Sequence, residues 1–277
     1  MRVRPPTRGR RRALGQHFLV DSTVAERMLT FAALEPGTSV LEIGPGRGAL
    51  TGALLRAGQR VVAVEYDGLL ARALLERADP RLEVVAADFL RLDLTTLPAP
   101  LPVVANLPYS SATAILARLL EHAERFPRIV VMVQREVAER LAAVPGSRDY
   151  GSLTVLTKLY ARVTLGFHVP AAAFAPPPRV ESSVVRLDVE AEPRIALGDP
   201  ARFRRVVRFA FAQRRKTLRN ALGAGLGDLR HAERALDRAG IDPMRRAESC
   251  SLEDFARLAD AVEETRVAGV VGTLEHA

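Results

Sequence analysis

Cysteine is almost absent. Cys250 stands alone, which excludes an internal disulfide and a thiolate metal cluster. The five histidines lie far apart with no ligand spacing, so no metal is expected. Long apolar runs are missing too, so no membrane span is expected. The arginines of residues 2–12 are not followed by a secretory apolar segment, and a reducing, cytoplasmic setting is the expectation that follows. Lysine occurs only at Lys158 and Lys216, so the net charge of +8 rests on arginine. With an isoelectric point near 10.6, the chain is expected to meet a polyanion. RNA or DNA fits better than a membrane surface, because no strongly amphipathic terminal helix gathers the basic residues.

The 277 residues, 48% of them hydrophobic, suffice for about two domains. Residues 1–12 hold six arginines, no acid and two adjacent prolines, and read as a flexible basic arm. A helix capped by Asp21 or Ser22 follows, with Val24, Met28, Leu29 and Phe31 on its apolar side, and Glu35-Pro36-Gly37 stops it. From Ser39 onward, short apolar runs alternate with helical stretches. Residues 40–43, 60–64, 82–86, 103–105 and 129–133 read as buried parallel strands, with helices at 50–57, 69–77, 112–126 and 136–144. This repetition predicts an α/β fold, a doubly wound and mostly parallel sheet. It ends in an antiparallel pair, 159–169 and 182–189, joined through Pro176-Pro177-Pro178. Beyond residue 190 the pattern is helical, over 201–222, 231–239 and 252–265. The predicted organisation is an arm (1–12), an α/β domain (13–190) and a small all-helical domain (191–277).

Asn106-Leu107-Pro108-Tyr109 follows the fourth parallel strand, where open α/β sheets place their ligands. Asn106 Oδ1 and the Leu107 carbonyl can accept hydrogens from an amino group while Tyr109 stacks, an inventory for a planar base with an exocyclic amine. Taken alone, the tetrapeptide reads equally well as a turn capping a strand. The first strand turns into the first helix through Glu42-Ile43-Gly44-Pro45-Gly46-Arg47-Gly48, whose glycines let a ligand approach backbone amides. The loop also satisfies G-x-G-x-x-A, which keeps a dinucleotide open, and Glu65, 21 positions after Gly44, suits a ribose diol in either case. Two features separate the alternatives. Glu42 gives the E-x-G-x-G-x-G form usual for S-adenosyl-L-methionine, a ligand without pyrophosphate. Asp88, with Phe89 beside it, ends the third strand with a carboxylate for an adenine amine and a ring to pack on the base.

These motifs occur in order with Gly15-Gln16-His17-Phe18-Leu19, residues 134–140, Phe174-Ala175-Pro176-Pro177-Pro178 and Arg214-Arg215-Lys216-Thr217-Leu218. Together they resemble the ribosomal RNA adenine dimethyltransferase family, from about Arg12 to Val262, and within it the bacterial 16S rRNA (adenine-N6,N6)-dimethyltransferase branch. The resemblance implies a class I methyltransferase (Rossmann-like) fold and an S-adenosyl-L-methionine cofactor. It implies N6,N6-dimethylation of two adjacent adenosines in the 3'-terminal hairpin of 16S rRNA, within an immature small subunit, by a monomer without a metal. By position it puts His17, Leu19, Gly44, Gly46, Glu65, Asp88, Phe89 and Asn106 at the cofactor. Asn106, Leu107, Pro108 and Tyr109 fall at the target base, with Phe174 as a second aromatic face.

The chain departs from the family pattern at His17, where many members carry asparagine, and at Ser110-Ser111-Ala112-Thr113, where relatives often have Asn or His and then Ile or Leu. Two other functions stay open: a resistance methyltransferase acting on large-subunit rRNA, and a non-catalytic RNA- or DNA-binding assembly or transcription factor. Finally, residues 202–219 hold eight basic residues and no acid, interleaved with Phe203, Val206, Val207, Phe209 and Phe211. A helix carrying them would pack its apolar stripe inward and offer Arg214, Arg215, Lys216 and Arg219 to RNA phosphates.

Overall fold

The computed structural model describes residues 17–271, with side chains as far as residue 262. The expected basic arm and the Gly15-Gln16 part of the N-terminal motif lie outside the described residues.

After Phe18–Leu19 (β1), Asp21 caps Ser22–Ala32 (α1) by accepting the Thr23 amide at 2.9 Å. The helix closes on a left-handed Ala33, just ahead of Glu35-Pro36-Gly37. The alternation then runs through Ser39–Ile43 (β2), Ala49–Arg56 (α2), Arg60–Glu65 (β3), Gly68–Leu75 (α3) and Leu82–Ala86 (β4). It continues with Val103–Asn106 (β5), Ala112–Glu121 (α4), Arg128–Gln134 (β6) and Arg135–Ala142 (α5). Ser152–Tyr160 (α6) is a helix that the sequence pattern does not suggest. Ala161–Val169 (β7), Phe174–Ala175 (β8) and Ser182–Val189 (β9) follow. The helical remainder comprises Pro200–Ala212 (α7), Leu218–Leu226 (α8), Leu229–Arg238 (α9) and Leu252–Val271 (α10).

Seven strands form one sheet in the order β4-β3-β2-β5-β6-β9-β7. The strands β2 to β6 pair in parallel, and β9 lies antiparallel between β6 and β7. Runs such as Val130-Val131-Met132-Val133 are buried because a parallel sheet is covered on both faces. The chain winds outward from β2 through β3 to β4, then returns to β5 on the other side of β2. This reversal leaves a crevice at the carboxyl ends of β2 and β5, where doubly wound sheets bind ligands. Val24 and Met28 of α1, Leu50 and Leu54 of α2, and Val104 and Met132 of the sheet share one buried cluster. Each such side chain contributes about 1.5–3 kcal/mol by leaving water. A separate ribbon pairs β1 with β8, with Phe18 opposite Ala175 and Leu19 opposite Phe174.

Among the described residues two compact units emerge, one of 17–142 with 160–192, the other of 143–159 with 193–271. The helical unit therefore includes 143–159, which the sequence pattern places in the α/β domain. Within it, Asp199 caps α7 through the Ala201 and Arg202 amides, and Phe203, Val206, Val207 and Ala210 form the buried stripe. The single helix expected over 201–222 is interrupted at 213–217. Thr217 is extended there, and the amides of Leu218 and Arg219 donate to the carbonyls of Arg245 and Pro243 at 2.7 and 3.2 Å. Those tertiary bonds outweigh local helix propensity.

Candidate active site

The carboxyl ends of β2, β3, β4 and β5 and the start of β1 line one cavity of about 310 Å³. His17, Leu19, Gly44, Gly46, Glu65, Asp88, Phe89, Asn106, Leu107, Pro108 and Tyr109 all line it. Phe174 does not. It is 3% exposed and packs in the core cluster with Leu19, Met28 and Val184, because β8 pairs it with Leu19 and turns its ring inward. The ring expected as a second aromatic face for the target base therefore lies in the core and off the cavity wall.

The glycine loop is shaped by its neighbours. Gly46 has φ 59°, and a Cβ there would come within 3.0 Å of the Phe18 ring. At Gly48, with φ 76°, a Cβ would meet the Arg77 guanidinium at 2.5 Å. Left-handed backbone costs other residues about 1–2 kcal/mol, so both positions need glycine. Arg77 donates to the Arg47 carbonyl at 3.0 Å, and the Arg47 guanidinium lies 4.6 Å from the Phe18 ring centroid.

Glu65 bridges β3 to this loop. Its Oε2 accepts the Gly46 amide at 2.9 Å and its Oε1 the Asp67 amide at 2.8 Å. Burial pushes its carboxyl up, against the pull of those two bonds. Each oxygen retains a lone pair for a further donor. Glu42, 1% exposed, accepts the Thr51 hydroxyl at 2.6 Å. Burial pushes its carboxyl up to about 8; the Thr51 bond and the Arg77 charge oppose this, and the Glu65 charge adds to it. Asp88 Oδ1 accepts the Leu90 amide at 3.0 Å, and the Phe89 ring beside it is buried. Arg118 steadies this turn by donating to the Leu90 and Leu92 carbonyls at 2.7 and 2.5 Å.

At the end of β5, the Leu107 amide donates to the Met132 carbonyl at 3.1 Å and fixes the loop on β6. Asn106 Oδ1 is buried and has no hydrogen-bond partner. Such an acceptor costs about 1–3 kcal/mol unless a donor reaches it. The Tyr109 hydroxyl lies 2.5 Å from Ser182 Oγ, and its ring is 5.5 Å, centroid to centroid, from that of His17, tilted by 35°. Burial pushes the Tyr109 phenol up, and the Ser182 bond opposes it. His17 Nδ1 lies 2.7 Å from the Pro176 carbonyl.

Several site residues escape sequence reasoning. Thr51, Arg77 and Ser182 carry no local signal, since each acts through a partner distant in sequence. Tyr66, 52% exposed on the cavity rim, could have been noticed as an aromatic following the acid at a strand end. Among the described residues, no three His, Cys, Asp or Glu side chains are grouped to hold a metal, and no helix is long and apolar enough to cross a membrane.

In the helical unit, the expected phosphate-binding residues divide. Arg214 donates to the Arg148 carbonyl and lies 3.9 Å from Glu248, and Arg219 is paired with Glu233 at 2.5 Å. Acids from outside the basic stretch therefore balance part of it. Arg215 and Lys216 are exposed in the turn between α7 and α8, with no ion pair among the described residues.

A sequence model of the family described as ribosomal RNA adenine dimethylase matches residues 8–264. Ribosomal RNA small subunit methyltransferase A of Syntrophotalea carbinolica is 46% identical over 256 residues, 91% of this chain and 97% of that protein. The protein of the same name from Geobacter metallireducens is 44% identical over 261 residues, 91% of this chain and 95% of its own length. Among solved structures, a dimethyladenosine transferase from Plasmodium falciparum superposes with a TM-score of 0.73 at 23% identity, covering 90% of this chain and 98% of that one. The 23S rRNA methyltransferase ErmE gives 0.61 at 31% identity, over 89% and 99%.

Proposed function

The chain belongs to the ribosomal RNA adenine dimethylase family, and from that premise we propose that it dimethylates N6 of two adjacent adenosines in the 3'-terminal hairpin of 16S rRNA. It is an S-adenosylmethionine-dependent ribosomal RNA methyltransferase with a Rossmann-like fold. In this reading it works as a monomer on immature small subunits in the cytoplasm.

The cavity suits that cofactor better than a dinucleotide. The Gly46 amide, which a pyrophosphate would need, already donates to Glu65. The acids Glu65 and Asp88 match hydroxyl and amino donors and favour a cationic ligand. Glu65 would hold the ribose, Asp88 and Phe89 the adenine, and Gly44, Gly46, His17 and Leu19 the remaining wall. When bound, the cofactor supplies a methyl activated by its sulfonium.

The protein's task is alignment. Adenine N6 is a weak nucleophile because its lone pair is delocalised into the ring. Asn106 Oδ1 accepts one N6 hydrogen and the Leu107 carbonyl the other, which favours the pyramidal amine, withdraws the lone pair from conjugation with the ring and aims it. Tyr109 stacks on the base swung out of its helix, a contribution of about 1–3 kcal/mol. Asn106 is a neutral amide and no general base, so the released proton leaves to solvent. Arg215 and Lys216, with Arg214 and Arg219 beside them, give the helical unit its RNA-phosphate contacts. The observation that carries this reading is that Asn106, a residue of the cavity wall, keeps a buried Oδ1 with no hydrogen-bond partner.

The test is to incubate the protein with labelled S-adenosylmethionine and under-methylated ribosomal subunits, then map the labelled adenosines. Label on two adjacent adenosines of the small-subunit RNA is the expected result. Label confined to large-subunit RNA would replace the proposal with the resistance activity, and label in neither would leave a binding protein.

A further inference from the structure

We propose that Ser182 is a positioning residue that governs completion of the second methyl transfer, by fixing the Tyr109 ring on which the target base stacks. The inference rests on the function proposed above.

Ser182 is fully buried and opens β9, where it stands between Gln134 of β6 and Val169 of β7. Its hydroxyl, held by a strand paired on both sides, meets the Tyr109 hydroxyl at 2.5 Å. The neighbouring Ser183 hydroxyl serves a different partner, His168 Nδ1 at 2.8 Å. Tyr109 sits on a loop that lines an open cavity, so without Ser182 its ring would keep rotational freedom. The His17 ring, anchored on Pro176, packs against it, with the centroids 5.5 Å apart.

The two transfers differ in what holds the base. In each, the N6 lone pair forms the new N–C bond as the C–S bond breaks, a neutral thioether leaves, and one N6 proton goes to solvent. Before the first transfer N6 carries two hydrogens, one for Asn106 Oδ1 and one for the Leu107 carbonyl. Before the second it carries one hydrogen and a methyl, so only one acceptor can be engaged. The polar restraint is halved while the stacking face is unchanged. Orientation for the second transfer therefore depends more on a fixed Tyr109 ring, and hence on Ser182.

The test follows N6-monomethyl- and N6,N6-dimethyladenosine over time on under-methylated small subunits, with the intact chain and with Ser182→Ala, Tyr109→Phe and the double variant. Both single variants should slow the second transfer about three- to tenfold more than the first, the scale of one hydrogen bond, so that monomethyladenosine accumulates. The double variant should be no worse than either single, and cofactor affinity by calorimetry should be unchanged. A wild-type time course in Ser182→Ala, or additive losses in the double variant, would overturn the proposal. Should Ser182→Ala fail to fold by thermal melting, Tyr109→Phe breaks the same bond from the loop side and decides alone. No methylated adenosine from the unsubstituted protein would overturn the function itself, and this inference with it.

Discussion

Replacing Glu42 by glutamine should flatten part of the pH dependence of stability. The carboxyl is almost fully buried, and burial raises it from 4.5 to about 8. A raised folded-state value means that, between these limits, the folded protein holds a proton that the unfolded chain has released. The stability contributed by this group is complete below about pH 4.5, falls as pH rises through the window, and is gone above about pH 8. One proton gives a slope of about 1.4 kcal/mol per pH unit, so going from about pH 5 to about pH 8 costs ~4 kcal/mol at most. At roughly 2–4 °C per kcal/mol for a chain of this size, that is a shift of about 8–16 °C. Glutamine keeps the volume and the acceptor for Thr51 but has no proton to lose. Melting both proteins at steps of pH and plotting variant minus wild type isolates the effect, because the raised carboxyl of Glu65 titrates in both. The difference should grow in the variant's favour towards high pH. A flat difference would mean that Glu42 is charged in the folded protein and that Arg77 outweighs burial.

Asn106→Ala should lower methyl transfer by about 10²-fold or more, as removal of a preorganised polar partner does, while cofactor affinity by calorimetry changes less than about tenfold; near-normal turnover would refute its assigned role. The double substitution Arg215→Ala, Lys216→Ala should reduce the salt slope of RNA binding by about 1.5 without touching cofactor affinity, and an unaltered slope would return both to a merely solvated turn. Arg219→Ala should also lower the melting temperature, because Glu233 loses its partner. Gly46→Ala should weaken cofactor binding by about tenfold, since about 1–2 kcal/mol of backbone strain adds to the contact with Phe18; wild-type affinity by calorimetry would show that the loop absorbs the methyl group.

The parallel strands are legible in the sequence because each is a short apolar run closed by a turn residue, and the four loops of the cavity because each begins where such a run stops. Residues 152–160 are harder. Ser152-Leu153-Thr154-Val155 is rich in β-branched side chains and leads into a true strand, yet it folds as a helix whose side chains are largely buried. The ribbon of β1 and β8 is too short for periodicity to show, and with it goes the inward turn of Phe174. The basic stretch reads as a continuous helix because the bonds that break it come from Pro243 and Arg245. Asn106 is legible as a residue type, but its unpartnered oxygen is a property of the surroundings. Ser182 is 73 residues from Tyr109, and only β9 lying beside β6 brings them together.

The ribbon also orders events during synthesis. His17 and Pro176 are 159 residues apart, so at about 5–20 residues per second the first edge of the cavity leaves the ribosome roughly 8–30 s before the partner that holds it. Until then a nascent chain can have its glycine loop and its Asn106 loop in place on a partial sheet, while Phe18 has no strand to pair with. Closure of the cavity thus becomes a late step, reached only after β8 has emerged to pair with β1. A chain able to hold cofactor has by then completed nearly all of its α/β unit.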